Sequence, residues 1–344
     1  MPSAHARPPW HPERLAARLP FLAARARLTA ATRAFFTARG YTEVETPCLV
    51  EAPGAEVHIR AFATRFEAHL GAGTSRPLWL RTSPELAIKK LLAGGAGPVF
   101  ELARVWRNGE ASARHAPEFT MLEWYRPGLS FEGLMDEAEA FLRAVCPPVV
   151  EHAGVGTDLS LPFERLTMAD AFARHCNGLD ILATEGDTAR LHQAAAPAGL
   201  PPRPGESWED LFFRLVLERI EPAIGRGRAT FLTHWPAPQA ALARRDPADP
   251  RAALRFELFV AGLELANAFD ELTDPAEQRA RFHEANEEPR RITGERGGEI
   301  KGAFTAARPQ GLPPTAGIAL GFDRLAMLAA GARSIDDVLW LPVT

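Results

Sequence analysis

The chain has 344 residues, of which 46% are hydrophobic and 24% are charged. This composition is typical of a globular protein with enough apolar side chains for a full core, and it excludes collagen, coiled coil and intrinsic disorder. The formal net charge of −4 excludes a basic surface over the whole molecule, of the kind that binds nucleic acid without sequence preference.

The chain begins with a Pro-rich stretch and a long helix. Residues 1–14 are predicted to be a disordered leading segment, and residues 15–344 are predicted to form a single domain. A helix is predicted over 21–39, because core-type side chains recur at helical spacing and Gly40 follows the last of them. The recurring positions are Leu28, Thr32, Phe35 and Phe36. A short extended run then stops at Pro47.

A second helix is predicted to start at Ser83. Ser83 would be the N-cap, Pro84 would occupy the first helical position, and the helix would run to Leu92, just before Gly94. Glu85 would then lie in the first turn, where a carboxylate usually does no more than compensate the helix dipole.

Two strands follow, and the second has an unusual face. Residues 99–107 and 119–125 alternate as strands do, and Leu122 with Trp124 marks the core face of the second strand. The opposite face carries Phe119, Met121, Glu123 and Tyr125. An aromatic ring, a carboxylate and a phenol on one rigid strand favour a binding surface.

The remaining chain predicts short helices and strands in alternation. Helical segments are predicted over 164–200 and 207–220, followed by a strand over 229–236. Two extended pieces, bent at Gly262, are predicted over 256–269, and a helix is predicted to start at Asp274, Pro275 and Glu277. The last predicted elements are a loop over 285–315 and a strand that leads into a helix over 317–328. This order predicts an α+β fold, an antiparallel sheet flanked by helices.

Missing motifs exclude several classes of protein. The three cysteines form no CxxC pair, which argues against a disulfide framework and for a reducing compartment. With only three lysines, none of them after the glycine spacing of a P-loop, a Walker site is excluded. No secretory signal and no apolar run long enough to span a membrane is found. We therefore expect a cytoplasmic protein.

Four segments carry chemistry: 82–85, 104–125, 262–274 and 317–324. Taken singly, each has an ordinary explanation; Arg107 and Arg114 could be solvated charges, and His115 could be a surface histidine. Glu264 is harder to dismiss, since a carboxylate in an apolar run needs a partner or a metal.

Taken together and in this order, the segments resemble the catalytic core of class II aminoacyl-tRNA synthetases, above all lysyl-tRNA synthetase. The first helix with YTEVETP resembles motif 1, RNGEASARHAPEFTMLEWY resembles motif 2, and GIALGFDRLAML resembles motif 3. The resemblance covers residues 15–344. It implies that this region is a catalytic domain that uses ATP and Mg²⁺.

Lysyl-tRNA synthetases carry an N-terminal anticodon-binding domain before motif 1, whereas only about 20 residues precede the motif 1 helix in this sequence, so we expect no such domain here. The chain thus resembles the stand-alone synthetase-like proteins that attach (R)-β-lysine to a lysine of translation elongation factor P. The resemblance implies an ATP-dependent ligase, a 2,3-aminomutase that supplies β-lysine, a homodimer formed through the motif 1 helix and Pro47, and no role for tRNA. Two alternatives stay open: a minimal lysyl-tRNA synthetase-like enzyme, and a non-catalytic paralogue that senses an amino acid.

The resemblance also implies roles for individual residues. Arg107 would hold the α-phosphate and Arg324 the γ-phosphate, since adenylation builds charge on phosphoryl oxygens. The ATP site would comprise Arg107, Asn108, Glu110, His115, Phe119, Glu264, Leu265, Gly321 and Arg324, with Phe119 stacked on adenine. Glu264 and Glu271, seven residues apart, would bind Mg²⁺ through carboxylate oxygens.

The substrate's amino groups need carboxylates and a phenol. By resemblance, the amino-acid site would comprise Ser83, Pro84, Glu85, Glu123, Tyr125, Asn267, Glu271 and Ala319. Ala319 stands where lysyl-tRNA synthetases have Gly, and its methyl group would reshape the pocket for a β-amino acid. In motif 2 the usual Arg-Asn-Glu reads Arg107-Asn108-Gly109-Glu110, so either Glu110 takes over adenine recognition from a displaced position or backbone groups read the base.

The first 40 residues hold seven arginines and one acid, Glu13. Two explanations compete: a solvated helix face in an Arg-rich protein, or a docking surface for an acidic protein acceptor. On the second explanation, reversing the charges of Arg18 and Arg25 would slow transfer and leave adenylation unchanged.

Overall fold

The structure is a computed structural model that describes residues 8–52, 59–69, 71, 73–274, 277, 281 and 311–343. The helices are α1 Pro12–Ala38, α2 Glu85–Ala93, α3 Phe131–Val145, α4 Met168–His175, α5 Thr188–Ala195, α6 Trp208–Leu215, α7 Phe322–Ala330 and α8 Ile335–Val338. Within those ranges no helix combines the length and the apolar character needed to cross a membrane.

An eight-stranded sheet forms the centre of the fold, in the order β1-β5-β6-β13-β12-β11-β10-β9. Its strands are β1 Thr42–Glu43, β5 Val99–Trp106, β6 Glu118–Pro127, β9 Glu164–Thr167, β10 Thr230–Pro236, β11 Ala252–Val260, β12 Leu263–Asp270 and β13 Thr315–Gly321. Only the two edge pairs, β1 with β5 and β9 with β10, are parallel. The predicted α+β class with an antiparallel sheet is confirmed.

Two small sheets accompany the large one. Their strands are β2 Leu49–Val50, β3 Ala63–Glu67 and β4 Ser75–Leu80 in one, and β7 Val149–His152 and β8 Val155–Asp158 in the other. A buried ion pair between Arg81 and Glu101, with nitrogen and oxygen 2.9 Å apart, ties the end of β4 to β5. Arg81 also donates to Thr46 Oγ1 at 2.6 Å, which fixes the run before Pro47 against the main sheet.

Helix α1 covers one face of the sheet and starts nine residues earlier than predicted, at Pro12. It therefore includes three residues assigned to the lead; residues 1–7 lie outside the described ranges. Proline is favoured in the first helical turn, and the helix continues past an internal Pro20. Phe36 packs within 5.0 Å of the rings of both Phe100 and Trp124, at the centre of the core.

Arg18 and Arg25 do not form a docking surface. Each is 7% exposed. Arg18 donates to the carbonyl oxygens of Leu339 and Trp340, and Arg25 to the carbonyl of Val338 at 3.2 Å. Both arginines satisfy the chain's C-terminal backbone, so the proposal that they steer an acidic acceptor is wrong.

The predicted strands over 99–107 and 119–125 correspond to β5 and β6, and Leu122 and Trp124 lie in the main core as expected. Helix α2 starts one residue later than predicted, with Pro84 as its N-cap residue. Ser83 still accepts a hydrogen bond from the Glu85 N–H, at 3.0 Å. Because Pro84 has no N–H, the first free donor is that of Glu85.

Between β9 and β10, helices α4, α5 and α6 enclose a second hydrophobic cluster, around Phe172, Trp208 and Phe212. The predicted helix over 207–220 is α-helical to Leu215 and continues as a π-helix over Val216–Ile220. Strands β11 and β12 meet at Gly262, whose φ of +71° suits glycine, as the predicted bend requires.

Two further predictions fall largely outside the described residues. Pro275 in the predicted helix start and residues 285–310 of the predicted loop are among them. Thr315, the last residue of the predicted loop, is instead the first residue of β13. Glu277 donates its N–H to Asp274 Oδ1 at 2.7 Å, the contact of a helix cap.

Candidate active site

A cavity of about 380 Å³ lies on the face of the sheet opposite α1. Strand register explains which side chains reach it. Five residues stand directly opposite one another across β5, β6, β13, β12 and β11: Glu101, Glu123, Ala319, Asn267 and Glu257. Cross-strand partners point to the same face, so this row brings together three predicted site residues, Glu123, Ala319 and Asn267, from three separate segments of the chain.

One end of the cavity is built to receive positive charge. Glu123 is fully buried; its two carboxylate oxygens accept from the Ser83 hydroxyl at 2.6 Å and the Tyr125 hydroxyl at 2.8 Å. Ser83, Glu85 and Tyr125 line the cavity. Three residues of the predicted amino-acid site, Ser83, Glu123 and Tyr125, thus form one hydrogen-bonded group.

Burial changes the acidity of this group. It raises the pKa of Glu123 to about 8, with help from the neighbouring Glu85 carboxylate, while the hydrogen bonds from Ser83 and Tyr125 pull in the other direction. The pKa of Tyr125 is also raised, first by burial and then by Glu123 and Glu85. A cation entering this end would relieve the repulsion among the carboxylates.

Tyr125 fits because position 317 is glycine. A Cβ atom at Gly317 would stand 2.1 Å from ring carbons of Tyr125. The two residues are cross-strand partners, so the ring lies flat across the neighbouring strand with its hydroxyl at Glu123.

A lysine that the sequence reasoning did not consider completes this end. Lys89, on α2, places its Nζ 2.5 Å from Glu85 Oε1 and 2.6 Å from Glu271 Oε2. It is 3% exposed. Its i,i+4 spacing from Glu85 on a helix with a buried face was the available signal.

The other end of the cavity presents arginines. It is lined by Arg107, Arg324 and Phe119. The guanidinium carbon of Arg107 lies 5.3 Å from the ring centroid of Phe119. Arg107 Nε is buried without a hydrogen-bond partner, which leaves a donor free for an anionic ligand.

Arg324 closes the motif 2 loop over the cavity. It donates to His115 Nε2 at 2.6 Å and to the carbonyl oxygen of Glu264 at 2.7 Å. Burial and then the Arg324 charge lower the pKa of His115. A guanidinium only donates, so His115 is neutral here, with its proton on Nδ1 pointing to Ser112 Oγ at 2.7 Å.

Comparisons with known proteins show the family of this chain. The family model of the class II tRNA synthetases (D, K and N) matches residues 14–344. The chain is 43% identical over 336 residues to the elongation factor P–(R)-β-lysine ligase of Klebsiella pneumoniae (strain 342), with 96% of each chain covered. It is 41% identical over 317 residues to the ligase of the same name from Haemophilus influenzae (strain PittGG), with 92% of each covered.

The chain belongs to the elongation factor P–(R)-β-lysine ligases, within the class II tRNA synthetases. A third ligase of that name, from Hamiltonella defensa, is 41% identical over 319 residues, which cover 90% of this chain and 91% of the relative. The conclusion therefore rests on near full-length matches.

The expected metal pair of this family member needs correction. Glu264 and Glu271 are seven residues apart along extended backbone, which separates their α-carbons by about 20 Å. Carboxylate oxygens contact Mg²⁺ at about 2.0–2.1 Å, so the two side chains cannot share one ion. Glu271 is bound to Lys89 instead.

Glu257 is the better partner for Glu264. Both line the cavity. Burial raises the pKa of Glu257 to about 8; the Arg255 guanidinium lowers it, and the carboxylates of Glu264 and Glu221 raise it further. The described residues hold no group of three or more His, Cys, Asp or Glu side chains arranged for a metal. Two carboxylates completed by phosphate oxygens are a donor set that suits Mg²⁺.

The remaining predicted residues divide into two groups. Those that line the cavity are Glu110, Leu265, Asn267, Ala319 and Gly321. Asn108 and Pro84 do not line it: Asn108 is exposed and its N–H bonds to the Arg60 carbonyl at 2.7 Å, and Pro84 is buried at the start of α2. Their assignment to the ATP and amino-acid sites stays a prediction.

Sequence reasoning also missed Arg255. Its side chain donates to Glu257 Oε1 at 2.6 Å and to Asn267 Oδ1 at 3.2 Å, and lies 4.0 Å from the Trp235 ring centroid. It therefore orients two cavity side chains at once. The signal was present: Arg255 and Glu257 interrupt an apolar strand at alternate positions.

Proposed function

We propose that this protein activates (R)-β-lysine with ATP and transfers it to a lysine side chain of elongation factor P. The names of its relatives and the class II family support ATP-dependent ligase chemistry. The observation that carries the proposal is the polarity of the cavity. Buried carboxylates and a phenol at one end suit the substrate's ammonium groups, and two arginines at the other, with the Nε donor of Arg107 unpaired, suit phosphate.

In the first step, a carboxylate oxygen of the amino acid attacks the α-phosphorus of ATP. The bond from that phosphorus to the bridging oxygen of the β-phosphate breaks, and pyrophosphate leaves. Arg107 would stabilise the charge that develops on the α-phosphoryl oxygens. Arg324 would hold the leaving pyrophosphate, exchanging its contact with His115 for phosphate oxygens.

In the second step, the neutral amine of the acceptor lysine attacks the acyl carbon of the adenylate. An amide bond forms, AMP leaves, and the amine releases a proton. The buried ammonium contacts at Glu85 and Glu123 would keep the acyl group fixed while the acceptor approaches.

Mg²⁺ is part of this proposal, with Glu257 and Glu264 as its ligands. When bound, it would neutralise charge on the phosphate oxygens. The mutual repulsion of these two carboxylates is the feature that favours a cation there.

The proposed partners follow from the same chemistry. Elongation factor P is the acceptor, a 2,3-aminomutase supplies β-lysine, tRNA takes no part, and the cytoplasm is the location. A homodimer is proposed through the α1 side of the molecule. There, Trp10 is 64%, Leu19 49% and Trp340 53% exposed, close to the carbonyl groups that Arg18 binds.

ATP–pyrophosphate exchange with a panel of amino acids tests the proposal. We expect (R)-β-lysine to give the highest kcat/KM, and mass spectrometry to show one β-lysyl group added to elongation factor P. Faster exchange with α-lysine together with charging of tRNA would replace the proposal by a minimal lysyl-tRNA synthetase. No exchange with any amino acid would indicate a non-catalytic amino-acid sensor.

A further inference from the structure

Lys89 is a buried lysine with two carboxylate partners at the edge of the cavity. Its ammonium lies between Glu85, which lines the cavity, and Glu271, which is 1% exposed. A buried ammonium is stable only when it is paired. Burial by itself lowers the pKa of Lys89, but Glu271 and Glu85 outweigh it, so the pKa is raised and the side chain stays charged.

The charges at this end do not balance by themselves. The Glu85 carboxylate interacts with both Glu123 and Glu271, and it raises the pKa of each. Against three carboxylates stands one ammonium, that of Lys89. When all are ionised, two negative charges remain, and (R)-β-lysine carries two ammonium groups.

Glu271 has a free oxygen. Its Oε2 is bound to Lys89, whereas its Oε1 is buried without a hydrogen-bond partner. A buried carboxylate oxygen left without a donor is unfavourable. The group of side chains is therefore incomplete, and the chemistry that completes it is an N–H donor.

We propose that Lys89 is a positioning residue that determines specificity for diamino acids. Its ammonium favours the ionised form of Glu85 and Glu271 against the effect of burial and holds both side chains in one orientation, so that two negative charges face the bound substrate. An amino acid with one ammonium group leaves a buried carboxylate unpaired and is rejected. This inference rests on the proposed function and names the residue that sets its substrate class.

The test is Lys89→Met, which keeps an unbranched side chain only one atom shorter and removes the charge. Lys90→Met is the matched control, since Lys90 is the adjacent residue and is exposed. Pyrophosphate exchange is measured with (R)-β-lysine and with 3-aminohexanoate, which lacks the terminal ammonium. For Lys89→Met we expect the KM for β-lysine to rise about tenfold or more, with kcat and the KM for ATP within about threefold of the parent.

The ratio of kcat/KM for the diamino and monoamino substrates is the decisive readout. We expect it to fall about tenfold or more in Lys89→Met and to stay at the parent value in Lys90→Met. In Lys89→Ala, added ethylammonium should restore part of the ratio, because it fits the space that the lysine leaves. A merely structural role would change stability and both substrates alike.

An unchanged ratio in Lys89→Met overturns the inference, and so does a fall in kcat with unchanged KM. If Lys89→Met does not fold, Lys89→Gln takes its place, since its amide still donates a hydrogen bond without a charge. Failure of the proposed function would look different: the parent protein itself would then give no exchange with β-lysine.

Discussion

The ring of Tyr125 lies directly over the backbone of Gly317 on the adjacent strand, in the space that a Cβ atom would occupy. Replacing Gly317 by Ala would therefore push the ring aside and break the hydrogen bond from Tyr125 to Glu123. We expect Gly317→Ala to lower the stability by about 1–3 kcal/mol and to raise the KM for β-lysine.

Thermal unfolding and pyrophosphate exchange measure the two effects. Gly156→Ala is the control, since a Cβ atom there would meet nothing within 4 Å. Equal melting temperatures for the two variants would show that Tyr125 moves aside without cost.

Substrate binding should depend on pH through Glu123. Its pKa rises from 4.5 to about 8 on folding, so the empty protein holds this carboxyl protonated at neutral pH. The stability that this contributes is fully present below pH 4.5 and is lost as the pH rises through 8. An ammonium substrate needs the ionised form, so the KM for β-lysine should fall between pH 6.5 and 8.5.

Glu123→Gln isolates this effect. The amide cannot ionise, so the variant should bind β-lysine weakly and its KM should change less with pH. Glu271, whose pKa is also raised to about 8, accounts for any remaining slope. If the slope in Glu123→Gln equals that of the parent protein, Glu123 is not the titrating group.

The revised metal pair can be separated from the original one by mutation. Glu264→Gln and Glu257→Gln each remove one charge from the proposed Mg²⁺ site, and pyrophosphate exchange should fall by about 10² or more in both. Glu271→Gln should raise the KM for β-lysine and leave the dependence on Mg²⁺ concentration unchanged. Titrating Mg²⁺ in each variant measures this, and a shifted Mg²⁺ midpoint in Glu271→Gln would restore the original pair.

Arg25 should matter for stability and for adenylation. It forms an ion pair with buried Asp323 and donates to Thr120 Oγ1 at 2.9 Å. Arg25→Met leaves Asp323 buried and without its cation, which costs about 3–5 kcal/mol. Because Asp323 adjoins Arg324, pyrophosphate exchange should fall too. Arg27→Met, exposed on the same helix, should leave both unchanged; slower transfer alone in Arg25→Met would revive the docking hypothesis.

Ala319 lies between Glu123 and Asn267 in the sheet and lines the cavity. Its methyl group therefore shapes the floor on which the substrate rests. One methylene-sized change in a tight pocket is worth about 1–3 kcal/mol. We expect Ala319→Gly to improve activation of α-lysine relative to β-lysine, measured as the ratio of kcat/KM. If the ratio is unchanged, Ala319 does not select between the two.

Local patterns predicted strands β5 and β6 correctly. The alternation in β6 was enough to put Phe119, Glu123 and Tyr125 on one face. The metal pair failed because residue spacing was used without the geometry of the strand: seven residues bring side chains together on a helix, and separate them on β12. Glu257 could be recognised only once the register of β11 against β12 placed it opposite Asn267.

The long-range contacts of Arg18, Arg25 and Lys89 could not be predicted for a related reason. Their partners lie far away in sequence: Leu339 and Trp340 for Arg18, Asp323 for Arg25 and Glu271 for Lys89. The composition gives the number of charged residues, but only the fold shows whether a charged side chain is buried and which residue it pairs with.

The row from Glu101 to Glu257 also limits how this site can change in length. Side chains alternate along a strand, so inserting or deleting one residue within β6, β11, β12 or β13 would turn every later side chain of that strand away from the cavity. Insertions are compatible with the site only in the connecting loops. To transfer this site to another scaffold, the four strands would therefore have to be moved together with their register kept. The side chains lie side by side only in that register.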